Sequence, residues 1–266
     1  MAANIVFFAN STKPEAANVL KNAMRIAHSM GYGCTKIQVT DSPAQTYNSQ
    51  NKLLVAIGGD GTILKATPFA CANDIPILGV NLGRIGFLNE ISPDGFENAL
   101  ALYRDGDYTL ESRMMLACQM NGEPVADCLN DILLYKQSFS GVAHISIEID
   151  GLDAGTVFCD GMIVCTPTGA TGYSISAGGP IIAPGLDACI VTPVCPHSLL
   201  VRPIVSAPDS SIRLQMRSVG VLYADGQKIA DVTQDDQVFV THSTEVVRFV
   251  RMGPHNLYDL VREKLR

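Results

Sequence analysis

Apolar residues follow two rhythms along this chain. In the first hundred residues they form short unbroken runs: Ile5-Val6-Phe7-Phe8-Ala9, Leu53-Leu54-Val55-Ala56-Ile57 and Ile77-Leu78-Gly79-Val80. A strand buried on both faces needs such a run, so a parallel sheet is expected. Between the runs, Ala16, Val19, Leu20, Ala23, Met24, Ala27 and Met30 recur at helical spacing, and Gly31 stops that helix. Ser11 or Thr12 is the expected N-cap, with Pro14 and Glu15 in the first turn. A second helix is expected to start near Thr62, with Pro68 ending or kinking it within about a turn. A third, capped by Ser92, runs from Pro93 to about Tyr103. Residues 37–39 form a short possible strand, and residues 41–51 are polar.

The rhythm changes near Asp105-Gly106-Asp107. Residues 114–120 and 125–135 flank Asn121-Gly122, a hairpin signal. Ile145, Ile147 and Ile149 alternate with polar partners and lead into Asp150-Gly151. Further strands are expected over 211–216, 219–223, 237–241 and 245–250, and a terminal helix over 256–265. The expected fold class is α/β plus all-β. A Rossmann-like nucleotide-binding domain covers 1–105 and a mostly antiparallel β domain covers 106–250. A C-terminal helix lies in 251–266 and returns to the first domain.

Composition narrows the function. With 266 residues and 47% hydrophobic content the chain can bury one large or two medium cores. A formal net charge of −7 without any basic block argues against a nucleic-acid partner. The N-terminus lacks a basic leader region, and no apolar stretch is long enough to span a bilayer, so a cytoplasmic protein with no membrane partner is expected. The 8 cysteines include no CxxC pair and read as reduced, mostly buried thiols. Cys159, Cys165, Cys189 and Cys195 lack metal-ligand spacing.

Two stretches carry the chemistry. In the first, the run ending at Ile57 closes in Gly58-Gly59-Asp60-Gly61-Thr62. The glycines are expected to turn with positive φ and let a ligand approach the backbone. A strand, a glycine turn and a helix start aim N–H groups at an anion, so Gly58, Gly59, Gly61 and Thr62 are phosphate-binding candidates. Asp60 is the odd member, because phosphates repel a carboxylate unless a metal or a chemical task retains it. A tight turn capped by an aspartate is the simpler alternative. Lys65, one helical turn on, either touches a phosphate or is an exposed helix lysine. The second stretch, Cys159 to Pro180, is dense in Gly, Ser and Thr directly after an apolar strand. Small hydroxyl residues let a planar or phosphorylated ligand reach and bond the backbone. A long surface loop is the alternative, disfavoured by the low charge and the flanking apolar runs.

Together with Asn130-Asp131, these motifs resemble in order and spacing those of the NAD kinase family. The resemblance extends to Asn81-Leu82-Gly83-Arg84-Ile85-Gly86-Phe87-Leu88, to Cys195-Pro196-His197-Ser198-Leu199 with Arg202-Pro203-Ile204, and to Asp225-Gly226-Gln227. The Gly-Gly-Asp-Gly turn alone is shared with lipid kinases and phosphofructokinase-like enzymes; the Thr166-Pro167-Thr168-Gly169 stretch is more specific. The family transfers the γ-phosphoryl group of ATP to the 2′-hydroxyl of the adenosine ribose of NAD. The resemblance implies Asp60 as general base, with Gly61 lining the site. It implies Asn130 and Asp131 on the adenosine half, and Thr171, Gly172, Tyr173, Ser174, Ile175 and Ser176 around adenine or nicotinamide. Asp160 would accept a hydrogen bond from an amide or amino group. Gln227 and Cys195 would line the same cleft, and Phe87 would shape the pocket. It further implies Mg²⁺ bound through ATP rather than by a protein cage, and a homodimer or homotetramer. An ordinary aspartate is too weak a base to ionise a free sugar hydroxyl, so it would take the proton as the O–P bond forms.

Three positions depart from the family pattern. Asp131 stands where Glu is usual, Gly172 lies in the usual Ser-Thr-Ala-Tyr run, and Pro68 is expected to shorten the helix behind the cradle. Arg84 either supports the glycine segment or meets a phosphate. His197 reads as a structural loop histidine, His28 as a surface residue, and the acids of residues 231–236 as a solvated turn. A diacylglycerol-type lipid kinase and a silent NAD(P)-binding sensor are the rival readings. The first leaves residues 171–176 unexplained, and the intact Asp60 argues against the second.

Overall fold

The computed structural model describes residues 3–38, 50–83, 86–183, 185–253 and 261–262. The chain forms two compact units, Met1–Arg113 with Val247–Arg266, and Met114–Val246.

The first unit begins with β1 (Asn4–Ala9), α1 (Ala16–Ser29), β2 (Gly33–Ile37), β3 (Asn51–Gly58), α2 (Asp60–Asn73), β4 (Ile77–Asn81) and α3 (Phe96–Asp105). Its strands are parallel in the order β2-β1-β3-β4. Side chains alternate across a strand, so each unbroken run supplies two apolar faces. Ile5, Phe7, Leu53, Val55 and Ile57 share a core with Leu20, Ala23 and Ile26 of α1 and Phe96 and Leu100 of α3. The alternate residues Val6, Phe8, Leu54 and Ala56 are also buried, and α2 packs against their strands. The C-terminal ends of β1 and β3 therefore open toward the first turn of α2, where ligands gather in such sheets.

Three helix expectations change. Pro68 neither ends nor shortens α2, which runs on to Asn73. Ile63, Ala66 and Thr67 before the proline and Phe69, Ala70 and Asn73 after it are buried, and this packing outweighs the ~3 kcal/mol cost of an interior proline. Thr67 Oγ1 also bonds the Ile63 carbonyl at 3.0 Å. Neither Ser11 nor Thr12 caps α1, which starts at Ala16. They sit instead in a turn whose Asn10 carboxamide oxygen accepts the Thr12 N–H at 3.0 Å and its hydroxyl at 2.8 Å. Pro93–Gly95 is a separate 3₁₀ turn before α3.

The second unit continues with β5 (Thr109–Met120, which begins in the first unit), β6 (Glu123–Cys128), β7 (Asp131–Lys136), β8 (Ala143–Ile149), β9 (Leu152–Cys159), β10 (Gly161–Cys165), a 3₁₀ turn (Gly169–Thr171) and α4 (Tyr173–Ser176). It closes with β11 (Cys189–Val194), β12 (Ile204–Ser206), β13 (Ile212–Met216), β14 (Gly220–Ala224), β15 (Gln227–Val232) and β16 (Val238–Arg251). One antiparallel sheet has the order β12-β11-β10-β7-β14-β15. In the other, β16, β13, β8 and β9 are successive antiparallel neighbours. Ile132, Leu134, Val164 and Leu222 of the first sheet meet Ile145, Ile147, Leu214 and Val240 of the second in one core. On the outer face of the six-stranded sheet, Ile163, Cys165 and Ile190 pack with Ala170 and Ala177.

The expected run over 125–135 is two strands, broken at Leu129-Asn130, whose N–H groups are taken by a side chain described below. The two strands expected over 237–250 are one. Its polar middle, Thr241 to Glu245, blurs the alternation where the strand leaves one unit's core for the other's. Asp231 and Val232 belong to β15, and only residues 233–236 form the turn. Arg84, Ile85, Val39, the polar segment 41–49 and most of the expected helix 256–265 lie outside the described residues.

Candidate active site

The glycine turn after β3 places Asp60 as the first residue of α2, with Gly59 as its N-cap. None of Gly58, Gly59 and Gly61 has a positive φ, which corrects the expected reason for these glycines. What they provide is space. A Cβ on Gly58 would overlap Thr62 Oγ1, whereas Gly59 and Gly61 border open space. An α-helix leaves its first N–H groups without intrahelical acceptors. This helix start heads a cavity of about 310 Å³ lined by Gly59, Gly61, Thr62 and Lys65 from the turn and by Asn10, Ser11, Thr12 and Lys13 from the β1–α1 loop; the Thr62 N–H is already taken by the Gly59 carbonyl at 2.8 Å. Lys13, whose ammonium donates to the Leu82 carbonyl at 2.6 Å, puts a second cation beside the exposed Lys65.

The Asp60 carboxylate is firmly held. Its Oδ2 accepts the Phe87 N–H at 3.0 Å, and its Oδ1 accepts the Leu88 N–H at 3.2 Å and the Asn89 Nδ2–H at 3.0 Å. A Cβ on Gly86 would overlap Oδ1, so only glycine lets this segment close on the acid. Phe87 thus contributes its backbone; its ring is half-buried. Asn89, buried, has no counterpart among the residues expected from sequence.

The second set of residues lies wholly in the second unit. Asp225 sits in the β14–β15 turn at φ 47° and turns its carboxylate onto the backbone at the head of β7. It accepts N–H groups from Leu129 at 3.0 Å, Asn130 at 2.7 Å and Asp131 at 3.2 Å. The Asn130 carbonyl accepts the Thr166 N–H at 2.9 Å, and Thr166 Oγ1 reaches the Leu129 carbonyl at 2.6 Å. A Cβ on Gly169 would overlap the Asn130 carbonyl, so the 3₁₀ turn lies directly on the Asn-Asp pair. The Asn130 Oδ1 is buried and has no hydrogen-bond partner among the described residues. A buried unpaired acceptor is costly. Burial, followed by the Asp225 charge, pushes the Asp131 carboxyl up to about 7. Burial also raises Asp225 itself, against the lowering by its three backbone donors.

The remaining candidates divide by exposure. Ser174 is fully buried and shares a 2.9 Å hydrogen bond with Thr192. Thr171 Oγ1 donates to the Thr168 carbonyl at 3.1 Å. Gly172 borders Asn130 Nδ2 and Asp131 Oδ2. Tyr173 and Ser176 are exposed, Ile175 is half-buried, and burial raises the Tyr173 hydroxyl, with Tyr135, Cys195 and Asp160 in its electrostatic neighbourhood. Asp160 forms an ion pair with Lys136 at 2.6 Å. Cys195 is exposed at φ 50°, and Gln227 opens β15 opposite Ala224. His28 and His197 are exposed. Sequence reasoning missed Lys13, Asn89 and the anchoring role of Asp225; only Asp225, in its Asp-Gly turn, carried a local signal.

Comparison with known proteins adds a family. Residues 3–108 match the ATP-NAD kinase N-terminal domain and residues 129–252 the ATP-NAD kinase C-terminal domain. An NAD kinase of Acidobacterium capsulatum is 33% identical over 282 residues, covering 98% of each chain. An NAD kinase of Caldanaerobacter subterraneus is 38% identical over 224 residues, covering 82% of this chain and 79% of the relative. Among solved structures, an NAD kinase from Archaeoglobus fulgidus in complex with ATP superimposes with a TM-score of 0.81 at 26% identity, covering 98% of this chain and 99% of the other. Yeast NADH kinase complexed with NADH has the same fold, with a TM-score of 0.90 at 22% identity over 99% of this chain and 87% of the other.

Proposed function

The chain belongs to the ATP-NAD kinase family, and from that premise we propose how its residues divide the work. The reaction moves the γ-phosphoryl group of ATP to the 2′-hydroxyl of the adenosine ribose of NAD, giving NADP. Such transfers are mostly positioning and charge neutralisation. Gly59 and Gly61 offer backbone N–H groups to the triphosphate at the head of α2, where Thr62, whose own N–H donates to the Gly59 carbonyl at 2.8 Å, brings its side chain, and Lys13 and Lys65 supply positive charge. Among the described residues no three His, Cys, Asp or Glu side chains form a metal cage. Mg²⁺ bound to the triphosphate would neutralise charge on the phosphate oxygens.

Asp60 accepts the proton of the 2′-hydroxyl as the new O–P bond forms. The observation that carries this role is the set of three N–H donors on its carboxylate. They fix the direction of the carboxylate. Asn130 offers its unpaired Oδ1 to a donor such as the adenine amino group. Asp131, held near 7, can both accept from and donate to ribose hydroxyls at neutral pH. Tyr173, Asp160, Gln227 and Cys195 surround the rest of the dinucleotide.

The decisive experiment compares the purified protein with its Asp60→Asn variant in the presence of ATP, Mg²⁺ and NAD, with the product scored for the 2′-phosphate. Near-parental turnover by the variant removes the base assignment. The assembly expected for the family, a homodimer or homotetramer, is tested by its mass in sedimentation. The free thiols suit the reducing cytoplasm.

A further inference from the structure

Behind Asp60 lies a buried ion network that neither the phosphate cradle nor the Asn130 site uses. Leu88, whose N–H binds Asp60, is gripped at its other end: its carbonyl accepts Arg251 Nη1 at 3.4 Å. Glu90, two residues on, accepts Arg251 Nη1 through Oε2 at 3.0 Å and the Met252 N–H through Oε1 at 2.7 Å. Arg251 Nε donates to Glu111 Oε2 at 2.6 Å, and Arg113 binds the other oxygen of Glu111 at 2.6 Å. The Arg251 and Arg113 side chains are 4% exposed and that of Glu90 is 9% exposed.

Stability alone is a weak reason for such a network. Desolvating four ionic groups offsets most of their attraction, and apolar side chains of similar size often do as well. What a guanidinium adds is direction, because its planar fork fixes several acceptors at once. Here those acceptors are Leu88 and Glu90, on either side of Asn89. The Asn89 Oδ1 is buried without a partner among the described residues, so the direction of this amide depends on Asp60 and on the backbone that carries it. Burial would raise the Glu111 carboxyl, but Arg251 and Arg113 outweigh it and hold the carboxyl below the ordinary value.

We propose that the Glu90–Arg251–Glu111 network is a positioning device for the Asp60 carboxylate, acting through residues 88–90. It touches no substrate. It holds the Leu88 and Asn89 donors in place, and these set the angle from which Asp60 meets the ribose hydroxyl. The proposal rests on the assignment of Asp60 as base.

The test is Glu90→Gln in the full-length protein, which keeps the size and an acceptor for Met252 but removes the charge facing Arg251. We expect kcat to fall about tenfold while KM for NAD and for ATP stays within about twofold. In the Asp60→Asn background the same substitution should cost no further turnover, because the group it positions is gone. An equal loss in both backgrounds, or a rise in KM with kcat unchanged, overturns the proposal and leaves the network as a structural anchor. If Glu90→Gln does not fold, Arg251→Lys serves instead. It keeps a cation for both carboxylates but loses the fork that reaches Leu88, and the same pattern is expected. Near-parental turnover by Asp60→Asn alone is a different result: it removes the base assignment, and this proposal with it.

Discussion

The Asp60 site and the Asn130 site are built by the same device, and the uses proposed for them are opposite. In each, one carboxylate gathers backbone N–H groups from a distant segment. Asp60 collects those of Phe87 and Leu88, and Asp225 collects those of Leu129, Asn130 and Asp131. On the roles proposed above, the gathered carboxylate is the working group of the first site; in the second it is the support, and the working group is the Asn130 amide, left with an unmet acceptor. A group that does chemistry gains from being fully held, because its geometry must not be paid for during the reaction. A group that recognises a ligand gains from one bond left unmade, which the right ligand alone completes.

That contrast predicts that the two sites fail in different kinetic parameters. The largest effect belongs to Asp60→Asn: kcat falls about 10²–10⁴-fold while the Kd for NAD, by calorimetry, changes only a few-fold. Next is Asp225→Ala, which frees three N–H groups at once. KM for NAD should rise about 10–100-fold with a smaller change in kcat. If kcat carries the loss instead, Asp225 belongs with the chemistry and the comparison breaks.

One added carbon sharpens the contrast. Gly86→Ala would crowd Asp60, and Gly169→Ala would crowd the Asn130 carbonyl. Each should cost about tenfold, the first in kcat and the second in KM for NAD, as steady-state assays would show. The smallest effect is on stability. An acid raised to about 7 binds its proton more tightly when folded, so Asp131 withdraws stability as pH rises from the ordinary carboxylate value to about 7, and no more beyond. Asp131→Asn removes that loss while weakening NAD binding. Its melting temperature should exceed the parent's at roughly pH 8, with the gap closing toward roughly pH 5. A gap that widens in acid would contradict the assigned direction.

Legibility in the sequence followed the range of the interactions. The turns Asn121-Gly122 and Asp150-Gly151 were readable because all four residues need positive φ, which they adopt. The unbroken runs of β1, β3 and β4 were readable because both faces are buried. Strands β9 and β15 were not, because they end their sheets and most of their residues face solvent. Pro68 misled because propensity is local, while the buried residues on both sides of it are not. In the site, the glycine turn and the Asn-Asp pair stood out as short motifs. The role of Asp225 depends on partners 94 to 96 residues away, and that of Lys13 on a loop that meets the glycine turn only in the folded sheet.

Strand β16 has a consequence for synthesis on the ribosome. Phe249 pairs with Ile77 of β4, and Val250 lies in the core shared by α1 and α3. Both are made after the whole of Met114–Val246. The first unit therefore leaves the exit tunnel with its sheet one neighbour short, while the second, later in sequence, is whole before the first. This connectivity predicts the reverse of the usual order, in which the N-terminal part folds first. A nascent chain stalled with residue 246 just clear of the exit tunnel should resist protease over 114–246 and remain cleavable over 1–113 until the last strand emerges.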